Sequence, residues 1–194
     1  MPKKSKNTKT RIVTAAWDLF YTQGYDDTTV DDIVEASGTS KGSFYHYFES
    51  KDDLLGSLSY LFDEKYEELC DEITEDMNSF DILLFLNREL FDLIDNKIDQ
   101  NLLAKLYSTQ LIRKGEKSLL DTDRYYYKLL RRIVVRGQER GELTTAMTVN
   151  DIVRLYAMCE RAMISEWCMC NWSFSLKNYA AQYLPLLIGG IKNN

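Results

Sequence analysis

The chain has 194 residues, a formal charge of -6, 45 % hydrophobic and 28 % charged residues, the balance of a soluble protein large enough for one or two small domains with a real core. No apolar run approaches the ~18 residues of a membrane span, and no apolar signal core follows the basic start MPKKSKNTKTR, so a cytoplasmic protein without membrane partners is expected.

Only Pro2 and Pro185 interrupt a chain rich in helical periodicity, which predicts an all-α fold of about nine helices. The first helix is expected over 8–23, with Ile12, Ala16, Leu19 and Phe20 as its stripe and Gly24 as its left-handed cap. Thr28 or Thr29 caps a second helix, whose first turn holds Asp31 and Asp32, where carboxylates suit the helix dipole, and which Gly38 ends. Ser40 caps a short third helix that runs to about residue 47. Ser50 and Asp53 form an expected capping box for a long fourth helix. Its stripe of Leu55, Leu58, Phe62, Tyr66, Leu69, Ile73 and Met77 predicts one rigid element that ends at Asn78-Ser79. A fifth helix over 80–97 is apolar nearly all round, as a central helix would be. A sixth follows with Leu102, Leu106 and Leu111, then a polar loop at 113–117. Helices over 122–140, 149–172 and 175–191 complete the chain, with Pro185 expected to kink the last or split its last turns.

Residues 1–51 carry seven basic residues (Lys3, Lys4, Lys6, Lys9, Arg11, Lys41, Lys51) and seven acidic ones, so the remaining 17 basic and 23 acidic residues supply all of the negative charge. A basic arm, a neutral segment and an acidic body permit a polyanion partner at one end only. The expected division is 1–51 and 52–194. The neutral segment contains GTSKGSFYHYFESK, which gathers the only histidine with four aromatics in five residues. Two short helices joined by a tight Gly turn and packed on a third describe a helix-turn-helix unit, whose second helix meets base edges in the major groove. Phe44 and Phe48 are expected inward. Lys41, Ser43, Tyr45, His46 and Tyr47 then face outward, each able to donate a hydrogen bond to phosphate or base. Gly42 costs about 1 kcal/mol relative to Ala in a helix and would let backbone approach DNA. Lys51, at a helix N-terminus, opposes the local dipole unless an anion such as phosphate lies beside it; a solvated lysine is the other reading.

From residue 11 to 55 the chain resembles the DNA-binding region of TetR-type (TetR/AcrR) transcriptional regulators. The resemblance rests on Ala15-Ala16-Trp17-Asp18-Leu19-Phe20, Gly24-Tyr25, Thr28-Thr29-Val30-Asp31-Asp32-Ile33, the run from Ala36 to Phe48, and Ser50-Lys51-Asp52-Asp53-Leu54-Leu55. It covers about a quarter of the chain. The family often places histidine just before the last aromatic of the recognition helix; here Tyr47 stands there and the histidine is His46. Base contact, phosphate contact and plain surface residue remain open for His46. The resemblance implies that Thr29, with Tyr47 or Lys51, holds phosphates and that Lys41, Ser43 and Tyr45 lie closest to the bases; Thr28 joins them as the alternative cap. It also implies a homodimer on a palindromic double-stranded DNA operator and a small-molecule effector bound by the helical body.

In the body, Phe62, Tyr66, Tyr107, Tyr126, Met163 and Trp167 are candidates to line an effector pocket, with core packing as the competing reading. The helix over 149–172 carries two apolar stripes. One of them, Val153, Ala157, Ile164 and Cys168, joins Tyr183 and Leu187 of the last helix as the candidate dimer face. The acidic runs Asp63-Glu64, Glu67-Glu68 and Asp71-Glu72 read as solvated, with a cationic-ligand site as the other reading. Cys70, Cys159, Cys168 and Cys170 lack the paired spacing of metal ligands, so reduced thiols and no metal are expected. No Ser/His/Asp set and no Gly-rich phosphate loop is present, so neither an enzyme nor a cofactor is expected. Two functions remain open: a ligand-released DNA-binding repressor, and a helical ligand- or protein-binding dimer without sequence-specific DNA binding.

Overall fold

The structure, a computed structural model, describes residues 8–112 and 117–193. Lys3, Lys4 and Lys6 of the expected basic arm and most of the polar loop at 113–117 lie outside them. The described residues are helical, with one isolated antiparallel bridge between Leu143 and Lys192. The order is α1 (Thr8–Thr22), α2 (Val30–Ser37), α3 (Lys41–Tyr47), α4 (Lys51–Leu55), α5 (Leu58–Cys70), α6 (Ser79–Lys97), α7 (Gln100–Ile112), a 3-10 turn at Ser118–Leu120, α8 (Tyr125–Glu139), α9 (Val149–Met169) and α10 (Leu176–Leu187), with a last 3-10 turn at Gly189–Ile191. The nine-helix layout therefore holds, with the fourth expected helix in two pieces.

That break is the main departure. Around Gly56 and Ser57 the amides bond three residues back instead of four: Gly56 to Asp53, Ser57 to Leu54, Ser59 to Gly56 and Tyr60 to Ser57. Ser57 Oγ donates to the Leu54 carbonyl and Ser59 Oγ to the Gly56 carbonyl. Serine hydroxyls that compete for backbone carbonyls loosen the α ladder, and the chain tightens into a 3-10 step. The apolar stripe continues through the break, so periodicity alone does not reveal it. The far end is shorter than expected too. α5 stops at Cys70, and residues 71–77 form turns held by α8: Arg140 Nη1 donates to the Glu75 carbonyl at 2.7 Å, and Arg136 donates to the same oxygen. At the start of α4, Asp53 Oδ2 accepts from the Glu49 amide at 2.6 Å, one residue before the cap, and the Ser50 side chain makes no cap bond, which departs from the expected Ser50–Asp53 box.

The other caps follow their residue types. Thr29 and Asp32 form a reciprocal capping box on α2, and Gly38 closes that helix in the left-handed region at φ 58°. Ser40, Asn78, Thr148 and Ser175 each accept a first-turn amide. At α10 the cap is doubled. Asp95 of α6 accepts from Ser175 Oγ and from the amides of Leu176 and Lys177, and Lys177 pairs with Asp92 at 2.8 Å. A carboxylate on the positive end of a helix dipole thereby fixes α10 along α6. Pro185 sits in the last turn of α10, which ends at Leu187 rather than reaching residue 191.

Buried side chains form one continuous core. At the N-terminal end, Ile12, Ala16, Phe20, Ile33, Phe44 and Phe48 bind α1, α2 and α3 together. Leu54, Leu55 and Leu58 join them to the body, where Leu83, Leu86, Phe91, Leu103, Ile152, Tyr156 and Trp167 lie at the centre. The expected inward placement of Phe44 and Phe48 is what the structure shows. Gly137, inside α8, has no room for a side chain: a Cβ there would fall 2.6 Å from Leu143 Cδ1 and 2.8 Å from Ser79 Cβ. Gly137→Ala should therefore lower stability by about 1–3 kcal/mol through overpacking, despite alanine's better helix propensity. Urea unfolding followed by circular dichroism would measure it; a gain in stability would contradict this packing.

Candidate nucleic-acid interface and ligand cavity

α3 presents its polar face outward. Lys41, Gly42, Tyr45, His46 and Tyr47 are exposed, and Ser43 is half-buried. Ser43 is also tied into the helix start, where its amide donates to Ser40 Oγ at 3.1 Å and the two hydroxyls meet at 3.0 Å. Lys41 Nζ pairs with Asp31 Oδ1 at 2.7 Å across the α2–α3 surface, which holds the ammonium above its ordinary pKa. A pair between exposed groups is weak and salt-screened, so it yields readily to another anion. At Gly42 the nearest atom to an added Cβ is Ser40 Oγ at 3.8 Å, an ordinary contact. Nothing inside the fold requires glycine there.

The two threonines part company. Thr29 is exposed at the start of α2, with its hydroxyl and amide both bonded to Asp32, whose carboxyl those bonds hold below its usual range. Thr28 is fully buried. Its Oγ1 donates to the Gly24 carbonyl at 2.7 Å and accepts from Gln23, closing the α1–α2 turn. It does not reach the surface on which a DNA contact would lie.

Lys51 also differs from both readings given to it. Its Nζ donates to the carbonyls of Tyr25 at 2.7 Å, Thr28 at 2.8 Å and Asp26 at 3.4 Å, and stands 4.3 Å from the Tyr25 ring centroid. All three ammonium donors are directed into the α1–α2 turn. The conflict with the helix dipole is relieved by carbonyls of the same chain rather than by an external anion. Beside it the Tyr25 hydroxyl donates to Asp52; burial and that carboxylate push the phenol well above its ordinary pKa. Lys105 of α7 pairs with Asp26 at 3.3 Å and lies 5.3 Å from the Tyr25 ring. Trp17 Nε1 donates to Ser57 Oγ at 2.7 Å, which fastens α1 to the break between α4 and α5. Arg11 donates to the carbonyls of Ser37 and Gly38 and so locks α1 onto the turn before α3. The sequence reading counted Arg11 only as a positive charge and Trp17 only within the family resemblance, and gave Lys105 no role.

In the body, a cavity of about 40 Å³ lies among α5, α7, α8 and α9. Phe62, Tyr66, Tyr107 and Tyr126 line it; Met163 and Trp167 are buried away from it, with Trp167 Nε1 donating to the Phe174 carbonyl at 2.7 Å. The sequence reading missed the polar centre. Glu160, 5 % exposed, accepts from Asn87 Nδ2 at 2.8 Å and from the Tyr126 hydroxyl at 2.6 Å. Burial pushes its carboxyl up from the usual range, against the pull of Asn87, Tyr126 and Tyr156 and of the Arg161 charge. Asp63, read as part of a solvated run, is buried and pairs bidentately with Arg124 at 2.9 and 3.0 Å, while Arg124 Nη2 also donates to the Ser59 carbonyl at 2.7 Å. A signal existed: Asp63 lies in phase with Ser59 and Tyr66 on the buried side of α5, as Glu160 does with Tyr156 and Trp167 on α9. A larger groove of about 1390 Å³ runs between α1 and the start of α5; its walls include the exposed side chains of Tyr21, Tyr60, Leu61 and Leu120.

The stripe assigned to a dimer contact faces inward. Val153, Ala157 and Ile164 are buried and Cys168 is half-buried, because α9 is enclosed by α7, α8 and α10 and uses both stripes on its own subunit. Tyr183 and Leu187 are exposed, as expected. The apolar residues left on the surface beside them are Met158 and Met169 of α9 and Leu186 of α10. Among the described residues no metal-ligand cluster is present, and no helix is long and apolar enough to cross a membrane.

Comparison with known proteins agrees with this geometry. Residues 12–58 match the family model described as bacterial regulatory proteins, tetR family. The fatty acid metabolism regulator protein of Bacillus subtilis is 23 % identical over 187 residues, which are 94 % of this chain and 95 % of that one. An uncharacterized HTH-type regulator of Lactococcus lactis is 48 % identical over 46 residues, 24 % of each chain. Among solved structures, Thermus thermophilus FadR, a transcriptional repressor in complex with lauroyl-CoA, superposes with a TM-score of 0.78 at 21 % identity, covering 97 % of this chain and 96 % of that one. FadR from Bacillus subtilis in complex with stearoyl-CoA gives 0.70 at 22 %, covering 94 % and 99 %.

Two measurements test the site's electrostatics. Removing the Lys51 ammonium leaves three turn carbonyls without their donor, so Lys51→Met should cost about 1–3 kcal/mol of stability, read by thermal unfolding. An unchanged midpoint would show that the clamp contributes nothing. Glu160 titrates in the opposite sense to a salt-bridged acid. With its pKa raised in the folded state, its contribution is fully present below the ordinary carboxylate range and is lost as pH rises through the raised value. The stability of Glu160→Gln relative to the parent chain should therefore increase from pH 4 to pH 8; a difference that is flat or falls with pH would show that Glu160 is not destabilised by burial.

Proposed function

We propose that this chain, a member of the bacterial tetR family of regulatory proteins by its match over residues 12–58, is a DNA-binding repressor that a small molecule releases from its operator. The observation that carries the reading is α3. A seven-residue helix anchored by two buried phenylalanines presents Lys41, Tyr45, His46 and Tyr47, with a glycine at 42 that no internal contact demands. A bare backbone position on an exposed polar helix is explained by close approach of an external surface, and the major groove is the surface such a helix fits. Lys41, Ser43, Tyr45 and His46 are the proposed base-proximal set, and Thr29 and Tyr47 the proposed phosphate contacts. Lys51 acts indirectly, by holding the α1–α2 turn. The proposed division of labour runs from residue 51 to 52.

Operator binding by two such helices calls for a symmetric dimer. We place its interface on the exposed seam of Met158, Met169, Tyr183, Leu186 and Leu187, a self-complementary apolar patch suited to a two-fold axis. Half-sites would then lie ~34–36 Å apart or a multiple of that. The effector is proposed to enter the cavity around Tyr66, Tyr126 and Glu160. α5 and α7 line that cavity and also connect to the N-terminal unit: Ser57, just before α5, accepts from Trp17, and Lys105 of α7 pairs with Asp26.

The acidic residues Asp26, Asp27, Asp31 and Asp32 beside α3 favour the competing reading, a helical dimer without sequence-specific DNA binding. One experiment separates the two. Fluorescence anisotropy with the DNA upstream of the protein's own gene, against scrambled competitor, should show specific binding. Gly42→Ala should leave stability equal or up to about 1 kcal/mol higher while weakening that binding about tenfold or more, because a methyl group then stands where backbone meets DNA. Lys41→Ala and Tyr45→Ala should narrow the gap between specific and scrambled DNA. Specific binding that all three substitutions leave intact would remove α3 as the reading element.

A further inference from the structure

Resting on the reading of this cavity as the effector site, we propose that the effector it takes is a primary ammonium compound with an apolar tail, held by Glu160 and Tyr66. The cavity, at about 40 Å³, has room for on the order of one to three water-sized groups, the size of an –NH3⁺ head and too small for a bulky headgroup. Two acceptors wait there. Glu160 receives hydrogen bonds from Asn87 and Tyr126 and interacts with the Tyr156 hydroxyl as well, which leaves about one of a carboxylate's roughly four accepting sites unused. Tyr66 lines the same cavity, is 1 % exposed, and its hydroxyl has no partner among the described residues. A buried hydroxyl and a buried carboxylate both cost stability until a partner arrives.

Two cations line the cavity. Arg124 is bound bidentately by Asp63, and Arg161 donates to the Tyr127 hydroxyl at 3.2 Å and acts on Glu160 through its charge without a salt bridge to it. Phe62, Tyr66, Tyr107 and Tyr126 add aromatic rings to the walls, and aromatic faces attract cations most strongly where water is excluded. Three N–H donors can serve Glu160 and Tyr66 together, while Leu90 and Ile164 receive the first methylenes of a tail. A hydroxyl head offers one donor and no charge. An anionic head meets a buried carboxylate and is disfavoured. The ammonium also favours the ionised form of Glu160 that burial alone opposes, so binding and ionisation assist one another.

The test uses the full-length protein and three probes: n-octylammonium, its neutral counterpart 1-octanol, and lauroyl-CoA. Isothermal titration at pH 7.5 should show n-octylammonium binding at least about tenfold tighter than 1-octanol. Glu160→Gln should reduce n-octylammonium affinity about 10–100-fold, the worth of one charged hydrogen bond, and 1-octanol affinity far less. Tyr66→Phe, which removes one oxygen and keeps the ring, should weaken the ammonium probe more than the alcohol and serves if Glu160→Gln fails to fold. Equal binding of ammonium and alcohol, or no loss in either variant, overturns the proposal. Operator affinity is measured in parallel. Release by lauroyl-CoA with no ammonium binding would sink this inference and keep the repressor reading. Glu160-dependent ammonium binding without change in operator affinity would keep the ligand class and remove ligand-driven release.

Discussion

The contact between Asp63 and Arg124 is the constraint on which the arrangement of the body depends. Both residues are 8 % exposed, and the guanidinium is shared between the Asp63 carboxylate and the carbonyl of Ser59. Asp63 Oδ1 also accepts the Tyr126 amide, one of the first of α8, at 3.2 Å. The pair thus joins the first turns of α5 to the start of α8 through a fork of bonds whose geometry is fixed at both ends. Desolvating two charges is expensive, and a hydrophobic pair of similar volume is often as stable or more so. What the ion pair adds is registry: α5 cannot slide along α8 without leaving a charge buried and unpaired. Registry matters here because the segment just before α5 is the 3-10 step leading to α4 and α3.

The N-terminal unit depends on a second internal cation. Lys51 gives its ammonium to carbonyls of the α1–α2 turn, and Arg11 gives its guanidinium to those at the end of α2. Two of the few positive charges in a segment of zero net charge are therefore spent on holding α1, α2 and α4 in place. With Lys41 paired to Asp31 as well, the described surface around α3 is mainly one of hydroxyls, an imidazole and bare backbone. Contacts made by such groups depend on geometry more than on charge. That fits a unit whose acidic body gives no general attraction for nucleic acid, and it explains why so much bonding is invested in the placement of one short helix.

The helix-turn-helix unit was legible because its signals are local and consistent with one another. Thr29 with Asp32, Gly38, Ser40 and the inward pair Phe44 and Phe48 each specify a step within a few residues. The helical body was legible from periodicity, and so were four cavity residues, since Phe62, Tyr66, Tyr107 and Tyr126 lie on inward faces. Three features were not. The break at Gly56-Ser57 leaves the apolar phase intact and arises from serine hydroxyls bonding backwards, which a hydrophobic pattern does not register. The burial of Asp63 depends on Arg124, 61 residues away, and that of Glu160 on Asn87, 73 residues away; a single sequence gives the charge but not its partner. The second stripe of α9 looked like a surface for another subunit. Periodicity shows that a face is apolar, but only the packing of α7, α8 and α10 shows who covers it.

The break between α4 and α5 changes how motion can travel through this chain. One rigid helix from the N-terminal unit to the body would act as a lever with a single path. Here the path is double. α5 carries Phe62 and Tyr66 at the cavity and begins at the 3-10 step, where Ser57 accepts the indole N–H of Trp17. α7 carries Tyr107 at the same cavity and, two residues earlier, Lys105, which pairs with Asp26 and stands near the Tyr25 ring. A group wedged between Tyr66 and Tyr107 would push α5 and α7 apart, so it would act on Trp17 through one and on Tyr25 and Asp26 through the other. Forces applied at two separate points, Trp17 within α1 and the turn after its C-terminal end, can rotate it, whereas a single lever would only translate it. Since Arg11 fastens α1 to the turn before α3, a rotation of α1 re-aims α3 directly. Differential affinity of the ligand for the rotated state is then the only further requirement for release.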